Sequence, residues 1–462
     1  MYFEQFYLGC LAHASYLFGS EGEAIVVDPQ RDIDIYVQAA LKQGLKIRHT
    51  FETHLHADFV SGHKELAART GATIYIGRAA GATFPHIDVG DGFKLQVGKL
   101  RLNVLETPGH TPESCCLVIT DEERPDSPWA VLTGDTLFIG DVGRPDLSKT
   151  HTPQQLAGLL YDSLHGKLMT LPDEVLVYPA HGAGSLCGRN MRAERSSTIG
   201  TERLTNYALQ IRSREEFIRQ MTSNLPARPE YFLEDAAINR AGATPLSELP
   251  PLKPISAAEL KVMLQRGEFA LDVRPTERFA AGHVPGSINI ALSGQFASWA
   301  GAVLGLSSKP VLVSDTAEEI SEARVRLARV GIEDLYGYLE GGVIGWQRAG
   351  FGLAELRQMT VQELGRRVDD GDLQVLDVRR QAEWDAGHIP GADWYPLDRF
   401  RAALPPREKD GLIAVHCKSG YRSMIAASLL QRAGYHVINV IGGFDAWEKA
   451  QLPVAAAATA GA

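Results

Sequence analysis

The chain lacks long apolar runs: across 462 residues there is no stretch of 18 consecutive apolar side chains. None of it therefore reads as a membrane-spanning helix. Cysteine is scarce, with five residues in no repeating pattern. A disulfide framework is improbable on that count, and a reducing cytoplasm is the expected location. Positive charge is in deficit, 46 Lys and Arg against 56 Asp and Glu, for a net charge of −10. That argues against a nucleic-acid role and leaves no polybasic patch for a membrane surface. The opening Met1-Tyr2-Phe3-Glu4-Gln5 has no basic stretch, so no secretory signal is expected. What remains, 45% hydrophobic and 22% charged, is the composition of a soluble globular protein. The length suggests about three domains at ~150 residues each.

The most informative stretch is Thr53-His54-Leu55-His56-Ala57-Asp58-Phe59, directly after the strand-like Lys46-Ile47-Arg48-His49-Thr50-Phe51. Alternation in an extended segment would place His54, His56 and Asp58 on one side. Three further pieces each put a His or Asp where a strand gives way to a turn. They are Pro108-Gly109-His110-Thr111, Thr133-Gly134-Asp135-Thr136 and Tyr178-Pro179-Ala180-His181-Gly182. A single surface histidine would mean little. Four such pieces in order point to side chains converging on a metal.

These residues resemble the metallo-β-lactamase fold, in the motif order of its glyoxalase II and persulfide dioxygenase branch. The resemblance implies an αββα sandwich over the first half of the chain. The family's first motif reads His-x-His-x-Asp-His, and here its last position is Phe59. Phenylalanine cannot ligate, so a full second metal site is not expected. The resemblance implies a first site of His54, His110 and Asp135, with His56, Asp58 and His181 orienting the ligands and bridging to water. Two imidazoles and one carboxylate with open positions form the facial triad of non-haem Fe(II) oxygenases. One Fe(II) per chain is therefore the expected cofactor, with zinc as the alternative.

Other residues near these motifs admit two readings each. Arg144, in the loop Gly140-Asp141-Val142-Gly143-Arg144-Pro145-Asp146, either receives an anionic substrate or makes a structural salt bridge. Cys187, six residues after His181 in a Gly-rich loop, is either a sulfur-handling thiol or a buried small side chain. Cys115 and Cys116 lie in an apolar run and read as core. His63 reads as a surface or capping residue. Helices are expected over 33–44, 64–70 and 202–222. Pro226-Ala227-Arg228-Pro229 and the stretch from Pro245 to Pro254 mark irregular chain and a domain boundary.

Beyond Pro254 the sequence repeats with an offset of 105 residues. Leu271-Asp272-Val273-Arg274 and Gly282-His283-Val284-Pro285-Gly286 return as Leu376-Asp377-Val378-Arg379 and Gly387-His388-Ile389-Pro390-Gly391. Each copy later offers Gly-Gly before a Trp, Gly341-Gly342 to Trp346 and, 101 residues on, Gly442-Gly443 to Trp447. The period is that of a duplicated domain, and strands alternating with helices imply a parallel sheet covered on both faces. Both copies resemble rhodanese domains, with His283 and His388 as structural histidines. The second carries His416-Cys417-Lys418-Ser419-Gly420-Tyr421-Arg422-Ser423, a Cys-x4-Arg loop like that of active rhodaneses. Its backbone N–H groups and the following helix N-terminus would face the Cys417 sulfur and favour the thiolate. Arg422 would add positive charge for an anionic sulfur donor. Lys418, Ser419, Gly420, Tyr421 and Ser423 complete the candidate sulfur-handling loop. The first copy has Ser314-Asp315-Thr316-Ala317-Glu318-Glu319 there. Without a sulfur nucleophile it reads as a catalytically silent spacer or docking domain.

The expected architecture is thus a multidomain α/β chain. Residues 1–245 form a dioxygenase domain, 252–352 a rhodanese-like domain without the catalytic cysteine, and 356–455 an active rhodanese; the small residues of the tail are expected to be disordered. The resemblance to persulfide dioxygenase–rhodanese fusions implies oxidation of a low-molecular-weight thiol persulfide by O2 to sulfite. Cys417, aided by Arg422, would then form thiosulfate, as part of sulfide detoxification. The partners are a small thiol persulfide, O2, and sulfite or thiosulfate, with a homo-oligomer (dimer or tetramer) expected by resemblance. The alternative is a glyoxalase II-like thioester hydrolase fused to a sulfurtransferase.

Overall fold

A computed structural model of the chain describes residues 1–455 except 224, 226, 371, 372 and 408. The expected tail disorder and Pro226 of the expected boundary fall on residues outside that set. The chain forms two compact units, Met1–Leu249 with Ala328–Gly331, and Pro250–Leu327 with Ile332–Ala462. Among the described residues no helix is long and apolar enough to cross a membrane.

The first unit is built on two six-stranded sheets. One contains Tyr2–Leu8, His13–Ser20, Glu23–Val27, Lys46–Glu52, Thr73–Gly77 and Ile87–Val89, in that order. The other runs Ser197–Thr198, Leu176–Pro179, Ala130–Gly134, Cys115–Asp121, Leu100–Glu106 and Lys94–Val97. Tyr16, Phe18, Ile25, Val27 and Phe51 of the first meet Leu102, Val104, Leu117, Ile119 and Leu132 of the second. The neighbouring residues on Glu23–Val27 are also apolar because that strand is covered on both faces. Val26 packs under Tyr36 and Ala40 of the helix Asp34–Lys42. Each such aliphatic side chain contributes roughly 1.5–3 kcal/mol by leaving water. On the far side, Pro153–Gly166 and Arg214–Thr222 cover the second sheet with Leu156, Leu160, Leu164 and Phe217. This is the αββα sandwich.

Two local expectations change. The stretch 202–222 is two helices, Ile199–Thr205 and Arg214–Thr222, and not one. Asn206 ends the first because its side chain donates to the carbonyls of Phe138 and Asp141 and accepts from the Ala208 N–H. Ser213 then caps the second by accepting the Glu216 N–H. His63 is fully buried, not on the surface. Its Nδ1 lies 3.1 Å from Glu52 Oε1.

The second unit holds two five-stranded parallel sheets of the same order. The first runs Pro254–Ile255, Gly337–Leu339, Val311–Val313, Ala270–Asp272, Ile288–Asn289. The second runs Arg357–Met359, His436–Val440, Leu412–His416, Gln374–Asp377, Asp393–Trp394. The duplication reaches single hydrogen bonds. Trp346 Nε1 donates to Gly352 O at 2.9 Å, and Trp447 Nε1 to Pro453 O at 2.8 Å. His283 stacks on Phe279 at 3.8 Å between centroids, and His388 on Trp384 at 3.7 Å.

Candidate metal centre and sulfur loop

Strand Lys46–Glu52 stops where Thr53 leaves the sheet. The Thr53 N–H donates to Asp28 Oδ1 at 2.7 Å, and its hydroxyl donates to Asp28 Oδ2 at 2.9 Å. Asp28 stands at the end of the neighbouring strand with a φ of +52°, a left-handed conformation rare outside glycine and often found at functional sites. Residues 53–62 are consequently a loop, and the expected one-sided alternation of His54, His56 and Asp58 does not hold. Asn239 pins this loop from helix Tyr231–Ala241. Its amide donates to the carbonyls of His56 and Phe59, each at 2.8 Å, and accepts from the Ser61 N–H.

The three triad residues come together. One ligand atom from each of His54, His110 and Asp135 lies within 4.8 Å of the others, and all three residues are buried. In each, the atom facing away from the cluster is occupied. The Thr53 hydroxyl has given its proton to Asp28, so at 3.0 Å from His54 Nδ1 it accepts. His110 Nδ1 lies 2.9 Å from the Arg144 carbonyl and must donate to it. Both imidazoles therefore present an unprotonated Nε2 inwards, 3.8 Å and 3.4 Å from Asp135 Oδ2. Asp135 Oδ1 is held by His181 Nδ1 at 2.7 Å. His110 Nε2 and Asp135 Oδ2 are buried and have no hydrogen-bond partner. Outer atoms engaged and inner atoms orphaned are the mark of a preorganised metal site. These residues fit a single divalent ion.

The electrostatics agree. Burial, together with the neighbouring His56, holds the His54 imidazole well below its ordinary pKa, so it stays neutral as a ligand must. Burial lowers His110 as well. Burial opposes ionisation of Asp135, but the histidines around it, His181 foremost, hold its carboxyl well below the usual range. For His181 the burial penalty is outweighed by Asp135 and by Asp58, whose Oδ2 lies 2.9 Å from Nε2, and the imidazole is raised well above its ordinary value. Asp58 and His181 thus form one chain of contacts behind Asp135. His56 Nε2 lies 3.3 Å from Asp28 Oδ1 and 3.6 Å from Glu52 Oε2, and a ligand atom of the same ring is within 4.8 Å of those of Asp58 and His181. Phe59 is fully buried, with the ring of His13 at 4.1 Å and that of His56 at 4.4 Å.

Arg144 belongs to the structural reading. It is 5% exposed and forks onto Asp146 at 2.6 and 2.8 Å, while its carbonyl orients His110. Gly143 beside it is obligatory, since a Cβ there would stand 2.0 Å from the Asp135 carbonyl and 2.8 Å from His110 Nδ1. Cys187 is buried, as the second of its readings has it, and its sulfur lies within 4.8 Å of ligand atoms of Asp135 and His181. Burial and then Asp58 and Asp135 push the thiol well above its ordinary pKa, so it is protonated. Cys115 and Cys116 are core residues.

Sequence reasoning missed Asp28, Glu52, His13, Asn239 and the Arg144 carbonyl.

In the second unit, strand Leu412–His416 delivers Cys417 into the loop ahead of helix Tyr421–Arg432. Cys417 is 1% exposed, and the Gly420 N–H donates to its sulfur at 3.2 Å. Lys418 and Ser419 are exposed at the loop surface. Ser423 is buried and bonds Gly420 O at 3.1 Å. Arg422 is not a free charge: both its terminal nitrogens bond the Glu383 carboxylate at 2.6 Å. In the first copy the strand register puts Ser314, and not Asp315 as expected, where Cys417 stands, because Val313 pairs with Asp272 as His416 pairs with Asp377; Asp315 is the next residue and pairs with Arg278.

The signature of the Metallo-beta-lactamase superfamily matches residues 8–181, and that of the rhodanese-like domain matches 256–349 and 360–450. Mouse persulfide dioxygenase ETHE1, a mitochondrial protein, is 33% identical over 233 residues, covering 49% of this chain and 84% of that protein. Its bovine counterpart is 35% identical over 238 residues, with the same coverage. The chain belongs to the ETHE1 persulfide dioxygenase family. In this member the metallo-β-lactamase domain is followed by two rhodanese-like domains. A crystal structure of a metallo-β-lactamase from Staphylococcus aureus superposes with a TM-score of 0.66 at 33% identity, covering 73% of this family member and 98% of that chain.

Proposed function

We propose that the chain is a persulfide dioxygenase using one non-haem Fe(II), coupled to a rhodanese-type sulfurtransferase, and that it serves sulfide detoxification. The observation that carries this reading is the donor set. Two imidazole Nε2 atoms and one carboxylate oxygen are aimed inward, with no fourth protein ligand at Phe59. Bound there, Fe(II) supplies open positions at which O2 and a persulfide sulfur can meet.

The overall first step is RSSH + O2 + H2O giving RSH, sulfite and two protons. Here the terminal sulfur is oxidised, O2 is reduced, and the S–S bond breaks to free the thiol. The chain's own residues hold the carboxylate ligand in place through the Asp135–His181–Asp58 chain. They also place a protonated thiol, Cys187, beside it. In the second step the Cys417 thiolate attacks the outer sulfur of a second RSSH, the S–S bond breaks, the thiol leaves, and Cys417 carries the sulfane sulfur. Sulfite attacks it, the persulfide bond breaks, thiosulfate leaves, and the Cys417 thiolate returns to the Gly420 N–H.

Metal analysis with O2 uptake tests the first step. Protein purified without added metal should carry one iron per chain. His54→Ala, His110→Ala and Asp135→Ala should each lose both the metal and O2 consumption. Two zinc ions per chain, with thioester hydrolysis and no O2 uptake, would sink the reading. That hydrolase alternative has one supporting observation: His56, Asp58 and His181 also bring ligand atoms within 4.8 Å of one another. The His56 Nε2 turned to Asp28 and Glu52, and the Phe59 ring packed on that imidazole, count against it.

A further inference from the structure

The silent copy lacks a nucleophile but keeps its fold, and it lies along one face of the helix that begins at the sulfur loop. Tyr421, Ser428 and Arg432 are spaced at i, i+7 and i+11 on helix Tyr421–Arg432, which puts them on one face. All three touch the first copy. The Tyr421 hydroxyl donates to the Ala291 carbonyl at 2.8 Å. Ser428 Oγ accepts the Asn289 N–H at 3.0 Å. Arg432 donates to the carbonyls of Gly286 at 2.8 Å and Gly267 at 2.9 Å. Gln431, beside this face, reaches His283 Nε2 at 3.0 Å.

The acceptor is itself fixed. Asn289 Nδ2 donates to Asp272 O at 2.9 Å and Arg274 O at 3.0 Å, and the N–H groups of Ile290 and Leu292 bond Asp272 O and Val273 O. The Asp272-Val273-Arg274 stretch is rigid in turn: the buried Arg274 guanidinium forks onto the Asp272 carboxylate. A continuous set of hydrogen bonds therefore runs from the silent copy's sheet to Tyr421, the first residue after the Gly420 N–H that meets the Cys417 sulfur. Gly294 lies against the Tyr421 ring. A Cβ there would touch it at 3.5 Å, and the φ of +69° suits glycine.

We propose that Tyr421 is a positioning residue and that the silent rhodanese copy is the template that sets the sulfur loop of the active copy. The proposal rests on the reading that Cys417 carries sulfur. It assigns the silent copy a task its missing cysteine does not affect, and it accounts for the intact Asp272–Arg274 pair in a domain without a nucleophile.

The test uses the full chain with Tyr421→Phe and, separately, Asn289→Ala, which releases the acceptor strand from within the silent copy. The first measurement is the rate of Cys417 alkylation by iodoacetamide at neutral pH, read by peptide mass mapping. It should fall roughly five-fold in each variant, the size of one net hydrogen bond. The second is transfer of sulfur from thiosulfate to cyanide, where kcat should fall by a similar factor with KM for thiosulfate unchanged. Ser428→Ala, two turns along the same face, should lower the melting temperature and leave the alkylation rate of the folded protein as it was. Parent-like alkylation and kcat in Tyr421→Phe, with or without a lower melting temperature, would overturn the proposal. So would an unchanged rate in Asn289→Ala if Tyr421→Phe fails to fold. Alkylation reads the thiol and not the transfer, so an unmodified chain that transfers no sulfur removes the sulfur-carrier reading and still leaves the template measurable.

Discussion

The two rhodanese-like copies share a sheet order, a stacked histidine and a buried Asp–Arg fork, and they differ where the chemistry would be. Arg274 grips Asp272 and the Gly282 carbonyl; Arg379 grips Asp377 and the Gly387 carbonyl. One ion pair beyond that fork is reversed. In the active copy the carboxylate is Glu383, on the short helix after the motif, and the cation is Arg422 on the loop helix. In the silent copy the cation is Arg278 and the carboxylate is Asp315, one residue beyond Ser314, which holds the nucleophile's place. The helix that follows differs in the same sense. Its first turn holds Glu318 and Glu319 in the silent copy and no acidic residue in the active one. A helix N-terminus carries about half a positive charge. The silent copy neutralises it internally, whereas the active copy leaves it for the sulfur. Losing the nucleophile therefore went with a rewired loop, not a single exchange.

Cys417→Ser gives the largest effect on this comparison. It removes the nucleophile of the active loop while leaving its hydrogen-bonding groups. Sulfur transfer should drop below detection, O2 uptake should persist, and sulfite should replace thiosulfate among the products by chromatography after thiol labelling. Cys187 lies at the metal cluster and could intercept sulfur, so the double variant Cys187→Ser with Cys417→Ser exposes any bypass. Unaltered thiosulfate in both variants would show that the loops do not divide as described.

The reciprocal exchange sharpens the point. Ser314→Cys in the Cys417→Ser background returns a thiol to the silent position, one residue before the Asp315 that pairs with Arg278 and ahead of Glu318 and Glu319. No recovery of thiosulfate formation is expected, since that helix N-terminus is already neutralised. Recovery of even a few per cent of parental transfer would mean that the cysteine alone makes the difference.

Glu383→Gln should have an intermediate effect. Burial pushes the Glu383 carboxyl up, but the two bonds from Arg422 win and hold it below the ordinary range. A depressed folded pKa stabilises above the unfolded value, about 4.3 for Glu, and that stabilisation is lost as pH falls through the folded value. Melting temperature plotted against pH should therefore separate parent from variant near neutrality and converge in acid. Sulfur transfer should fall only partly, because the nucleophile and the Gly420 N–H remain. Parallel melting curves down to acid would show that the pair contributes nothing.

Sequence alone carried the parts of this protein that are local in the chain. His54, His110, Asp135 and Cys417 each sit in a short motif, and the duplication announced itself by its 105-residue offset. What did not show are the groups that aim those residues. Asp28 lies 25 residues before Thr53, Asn239 lies 183 after His56, and the acceptor for His110 is a backbone carbonyl, which has no sequence signature. Arg422 was legible as a charge but not as a charge already spent, since Glu383 is 39 residues away. The alternation of His54, His56 and Asp58 misled because Thr53 leaves the strand for the Asp28 carboxylate, and the two-residue period ends with the strand.

The smallest expected effect is that of Asp315→Ala. Asp315 contacts Arg278 closely and lies 3.8 Å from Arg274 Nη1, with its side chain 26% exposed and that of Arg278 62% exposed. A pair so open to water contributes roughly 0–1 kcal/mol. Its loss leaves Arg274 still forked on the buried Asp272, so the silent sheet and the Asn289–Ala291 stretch bonded to it keep their anchor. A carboxylate cannot accept sulfur as a persulfide, and removing one removes no chemistry. Thiosulfate yield, O2 uptake and Cys417 alkylation should all match the parent, with a melting temperature lower by no more than a few degrees. If Asp315→Ala abolished thiosulfate formation in a folded protein, the first copy would be catalytic in its own right, and the contrast between the two loops would have to be drawn again.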